Sequence, residues 1–105
     1  MKQLPPIHPG EILLEDFMKP LGLSPSRVAT EIGVSVFRIN QIVRSKRAIT
    51  PEMALRLARY FGTSAEIWLR LQVRYDLEVA KAQLTKQINR EVKVLKVQAA
   101  AIEGC

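Results

Sequence analysis

Between Gly33 and Thr50 the chain reads GVSVFRINQIVRSKRAIT, and the side chains in this stretch suit recognition rather than bond-making. Gln41 and Asn40 can pair with adenine edges, arginine with guanine, and Val36 or Phe37 can meet a thymine methyl group. Behind them come Arg44, Lys46 and Arg47, and together with Arg38 they make four cations between Ile32 and Pro51 with no acid among them. Such a run suits phosphates on either side of a groove. It is equally what a solvated helix face looks like, so the charge run alone does not choose between the two. Material for catalysis is scarce: His8 and Cys105 stand ninety-seven positions apart, and neither a glycine-rich phosphate loop nor carboxylates at metal-ligand spacing occur. The expectation is a non-enzymatic protein without cofactor or metal.

The recognition stretch needs a scaffold, and the punctuation of the sequence supplies one made of helices. HPGEILLEDFMKPLG opens with Pro9 in a first turn and stops near Pro20 and Gly22, with Leu13, Leu14, Phe17, Met18 and Leu21 as its apolar face. SPSRVATEIG has Ser24 as N-cap, Pro25 at the first helical position and Gly33 as a left-handed stop. Ser35 then caps a third helix that buries Ile39, Ile42 and Val43. Thr50 and Pro51 open a fourth, ending at Gly62, with Ala54, Leu57, Ala58 and Phe61 facing inward. A fifth begins at Thr63 or Ser64, where Thr63 and Glu66 have capping-box spacing.

Two short helices joined at a glycine, the second followed by a basic loop, are the sequence form of a helix-turn-helix over about residues 24–45. At about 100° per residue, Phe37 falls about 140 to 160° from Ile39 and Ile42. It therefore points out of the core, together with Asn40, Gln41 and Arg44. Packing of Phe37 against a partner chain is the competing reading. Near the start of the second helix, Ser24, Ser26 and Arg27 are placed to hold the neighbouring phosphate backbone.

From Thr63 to Glu103 there is neither glycine nor proline. Trp68, Leu71 and Tyr75 form one apolar stripe of the fifth helix, and Leu69, Val73 and Leu77 form a second on another side. A helix that is apolar on two sides has two packing partners, here its own core and either a second copy of the chain or a different protein. The tail fits a continuing helix through Leu84, Ile88, Val92 and Leu95, while REVKVLKV also alternates in part like an edge strand.

The whole chain has 105 residues, 48% of them hydrophobic, which fills one modest core. Its net charge of +6 favours an anionic partner. A single cysteine fits a reducing compartment, and no apolar run approaches the roughly 18 residues of a membrane span. A cytoplasmic protein without membrane contact is expected.

HPGEIL near the start, and above all ITPEMALRLARYFGTSAEIWLRLQ followed by YDL, resemble the HigA-type antitoxins, relatives of VapI-like proteins in the phage-repressor-like helix-turn-helix group. The likeness runs from about His8 to Ala80. It implies an all-α, five-helix phage-repressor-like domain, which takes up residues 1–80. The tail beyond residue 85 matches no family pattern, and residues 81–105 are expected from their own spacing to form a C-terminal extension, helical or partly ordered. The likeness also implies a homodimer that binds an inverted-repeat operator in double-stranded DNA and represses its own operon. The implied protein partner is a HigB-like toxin, an mRNA endonuclease of the RelE type. The family's base-reading places fall on Val36, Phe37 and Gln41, with Ser35, Arg38 and Asn40 adjacent, and its phosphate-contacting places on Arg44, Ser45, Lys46 and Arg47. Many relatives carry a phosphate-binding glutamine where this chain has Pro25, which offers neither side-chain donor nor backbone N–H. That contact is then missing or comes from Ser24, Ser26 or Arg27. Two other readings stay open: a DNA-binding regulator without a toxin, and a protein-interaction module built on the two-sided fifth helix.

Overall fold

Each helix start is fixed by a short polar side chain that turns back on its own first turn. In the computed structural model, which describes residues 5–96, Ser24, Ser35, Thr50 and Ser64 each accept a hydrogen bond from the backbone N–H three residues on. These caps open α2 (Pro25–Ile32), α3 (Val36–Val43), α4 (Pro51–Phe61) and α5 (Ala65–Glu91). The first helix, α1 (Pro9–Ile12), is capped by His8, whose Nδ1 accepts from the Gly10 N–H at 2.9 Å. No strand occurs among the described residues. Gly33 and Gly62 close α2 and α4 in the left-handed conformation, at φ 80° and 75°.

Beyond Ile12 the first helix widens into a π-helical stretch, Leu13–Met18, which buries Leu13 and Met18. The chain then leaves helical geometry, and the turn from Lys19 to Gly22 carries Leu21 outward, where it is 62% exposed. Leu21 is thus not part of the inner face assigned to it by helical spacing, because the helix ends before reaching it. The predicted Thr63–Glu66 capping box is also absent. Ser64 is the cap, and the Thr63 hydroxyl accepts instead from the Trp68 indole N–H at 2.8 Å. That bond satisfies a donor which burial of Trp68 would otherwise leave unpaired. Val43 and Ala58 are only half-buried, while Met53 is fully enclosed.

The core lies where the helices converge, and its fully enclosed side chains include Leu13, Met18, Val28, Ile39, Ile42, Met53, Leu57 and Trp68. Enclosing a side chain of this kind stabilises the fold by about 1.5–3 kcal/mol. Phe17 stacks obliquely on both Phe61 and Trp68, with ring centroids 5.1 and 5.0 Å apart. It thereby joins the π-helical stretch to α4 and α5. The closest approach is at Gly10, where a Cβ would stand 1.7 Å from the carbonyl oxygen of Ile42. The backbone of α1 therefore rests directly against the C-terminal end of α3. Along α5 burial stops at Ala80, and residues 81–96 are all exposed. The helix itself continues to Glu91, with Val92 already extended; Cys105 lies outside the described residues. No described helix is long and apolar enough to cross a membrane.

Candidate nucleic-acid interface

Burial of Ile39 and Ile42 decides which side of α3 is presented outward. Val36 and Phe37 stand on that side, Phe37 with 62% of its surface exposed, and Asn40 and Gln41 are half-buried beside them. The hydroxyl of Ser35 is used within the fold, accepting from the Arg38 N–H at 3.2 Å.

Arg38 is directed differently. Its guanidinium lies 3.7 Å from the carboxylate of Glu52 on α4, and its Nε is buried without an acceptor among the described residues. Glu52 also holds Arg56 at 3.0 Å, and Arg56 donates to the carbonyl of Ile32 at 2.7 Å. This carboxylate and its two arginines tie the end of α2 and the start of α3 to α4. Glu52 carried no functional signal in the sequence beyond its place in a first helical turn.

The loop after α3 has fixed ends. Ser45 takes a left-handed φ of 61°, while its N–H donates to Ile42 O at 3.0 Å and the Lys46 N–H donates to Gln41 O at 2.8 Å. Arg47 Nε donates to the Gln41 side-chain oxygen at 2.7 Å, so the loop reaches back to a residue on the exposed helix. Arg44, Lys46 and Arg47 are exposed. At the far end Ile49 is buried, and its N–H donates at 2.8 Å to Oε1 of Gln72, itself only 6% exposed. The other end of that amide donates to Asp76 at 2.9 Å. Sequence reasoning passed over Gln72, although a glutamine four residues after Trp68 stands on the inner stripe of α5, where a polar group needs a partner.

At the start of α2 the Ser24 hydroxyl accepts from the Arg27 N–H at 3.1 Å, and Arg27 Nε pairs with Glu31 at 3.3 Å. Ser26 is exposed. Glu31 also accepts from the Tyr60 hydroxyl, a bond that lowers the carboxyl pKa and raises that of the phenol. On α5, Leu69, Val73 and Leu77 line an apolar groove of about 430 Å³, flanked by Glu66, Arg70 and Arg74. Val73 and Leu77 are exposed, and Leu69 is half-buried.

A helix with an apolar and amide-bearing outer face, seated across a glycine turn on its predecessor and followed by a cationic loop, defines a DNA-binding helix-turn-helix protein. A family profile for helix-turn-helix domains matches residues 14–68. Virulence-associated protein I of Dichelobacter nodosus is 53% identical over 79 residues, 75% of this chain and 73% of that protein. Antitoxin HigA of Pseudomonas aeruginosa, solved with the higBA promoter, superposes with a TM-score of 0.85 at 46% identity, covering 87% of this chain and 99% of that one. Antitoxin GraA in complex with its operator superposes at 0.84 with 38% identity over 92% of this chain and 98% of that one. The chain belongs to the helix-turn-helix family, in the branch that holds the HigA antitoxins, a family of DNA-binding regulators and not of enzymes.

Proposed function

We propose that this protein is the antitoxin of a type II toxin–antitoxin pair, a homodimer that binds an inverted repeat in its own promoter and neutralises a HigB-like, RelE-type mRNA endonuclease. The observation that carries the DNA-binding half is the outward Val36–Phe37 pair on α3, followed by a loop of exposed cations with no acid between Ile32 and Pro51. In this reading Val36, Phe37 and Gln41 meet base edges, with Ser35, Arg38 and Asn40 beside them. Arg44, Ser45, Lys46 and Arg47 hold phosphates on one side of the groove, and Ser24, Ser26 and Arg27 hold them on the other. Arg38 leaves Glu52 to do so. The groove of Leu69, Val73 and Leu77 is the contact with the second protomer, and the branch of the family supports the toxin partner.

The DNA half is tested by titrating operator and random duplex. Phe37→Ala should weaken operator binding by about 1–3 kcal/mol and leave random duplex nearly unchanged. Lys46→Ala should weaken both alike and lower the salt slope by about one. Equal losses on the two duplexes for Phe37→Ala would remove it from the base-reading set. Co-expression with the product of the neighbouring reading frame tests the antitoxin half: relief of growth arrest supports it, and continued arrest leaves a regulator that acts on DNA alone.

A further inference from the structure

We infer that Gln72, on α5, is the positioning residue for the DNA-contacting loop, and that Asp76 orients it. This rests on the reading of that loop as phosphate-contacting. The loop from Arg44 to Ile49 has two anchors. The first is the helix-terminating turn at Ser45, local to α3. The second is the end at Ile49, which is held by burial of its side chain and by one hydrogen bond from its N–H to Gln72 Oε1. A buried amide N–H without that acceptor is costly, so loss of the Gln72 carbonyl drives the loop end outward towards water. Lys46 and Arg47 lie between the two anchors. Arg47 in turn holds the Gln41 side chain, and displacement of the loop therefore reaches a base-reading residue as well as the phosphate contacts. Asp76 accepts from Gln72 Nε2, which selects the amide orientation that points the carbonyl at Ile49.

Three features separate this arrangement from general core packing. The bond crosses twenty-three residues of sequence, it ends on a backbone group of the loop itself, and the orienting carboxylate is on the exposed side of α5. The helix that presents the apolar groove therefore also sets the geometry of the DNA-facing loop.

The experiment measures operator and random-duplex affinity as a function of salt for the full chain and its variants. Gln72→Met keeps the bulk and removes the acceptor. It should weaken operator binding about tenfold, the size of one lost contact, and reduce the salt slope by about one to two, for the two loop cations. Combining Gln72→Glu with Asp76→Asn reverses the polarity of the pair at unchanged net charge: the new carboxylate accepts from Ile49 N–H and from the new amide. This double variant should return affinity and slope to within about twofold of wild type, whereas Gln72→Glu alone, with two acceptors facing each other, should not. A merely structural role would lower the melting temperature and leave the slope of the folded fraction unchanged. If Gln72→Met does not fold, Asp76→Ala, which buries nothing, should still show a reduced slope and a loss of about threefold. An unchanged affinity and slope in Gln72→Met, or in Asp76→Ala if the former is unfolded, would overturn the inference provided Lys46→Ala and Arg47→Ala lose binding. If those two keep wild-type affinity and slope, the loop is not the phosphate contact, and both the inference and the reading beneath it fall.

Discussion

Replacing Gly10 by alanine tests the seating of the first helix on the recognition helix. The added Cβ would lie 1.7 Å from the Ile42 carbonyl oxygen and 2.6 Å from its carbon. A carbon–oxygen contact settles at about 3.3 Å, so the two backbones must part by roughly 1.5 Å. The obstacle is a main-chain carbonyl within a helix, which cannot swing aside as a long side chain would. Separation also disturbs the neighbouring Pro9 and Leu13, both fully buried. Overpacking of this kind costs about 1–3 kcal/mol, with this site at the upper end. Against it stands the helix preference of alanine over glycine, about 1 kcal/mol, since Gly10 has no need of a positive φ. The net expectation is a loss of about 2 kcal/mol, which for a domain of this size lowers the melting temperature by about 8–16 °C. Thermal unfolding followed by far-ultraviolet circular dichroism reads it directly. The sign is decisive, because without the close approach alanine would stabilise the helix; an unchanged or raised melting temperature refutes the seating of α1 on Ile42.

Val73→Glu places a charge in the apolar groove of α5 while leaving the core intact, and it should convert a dimer to a monomer in sedimentation with unchanged helix content. A dimer that survives the substitution moves the protomer contact elsewhere. His8 predicts a pH dependence: burial lowers its pKa from 6.5, with Asp76 and Glu11 pulling only partly the other way. The unfolded chain then binds a proton that the folded chain refuses. Stability is complete above about 6.5 and is lost as pH falls through that value towards the lower folded one. Melting temperatures across this window should decline on acidification, and His8→Asn, which keeps an acceptor for the Gly10 N–H, should flatten the curve; equal slopes for the two proteins would refute the assignment.

What the sequence made readable was whatever depends on near neighbours. Ser24, Ser35 and Thr50 cap the helices they precede, and Gly33 and Gly62 end the helices they follow, because these bonds span only three or four residues. The outward direction of Phe37 followed from its angle to Ile39 and Ile42, both of which are fully buried. The features that escaped are tertiary. Helical spacing puts Leu21 on the inner face, but the helix gives way after Met18 to a turn that carries it outward. The family likeness sets Arg38 beside the base-reading places, but Glu52, fourteen positions later, holds its guanidinium at 3.7 Å in the free protein. Gln72 pairs across twenty-three residues, and Thr63 serves the Trp68 indole in preference to its own helix. Each of these depends on which helices meet, and the periodicity of one helix carries no record of that.

The fifth helix is one continuous rod of 27 residues, yet only its first part is enclosed by neighbours. Its eleven residues from 81 to 91 are solvated on every side, and a peptide that short falls below the roughly 12–15 residues at which an isolated helix begins to hold in water. Those turns exist because Trp68 and Gln72 have already met the nucleation cost inside the domain, leaving only cheap elongation beyond Ala80. Amide protons should accordingly exchange faster with each turn towards Glu91, in a gradient separate from global unfolding. The protruding end is the segment whose conformation a binding partner can rewrite at least expense, while the reading head remains folded.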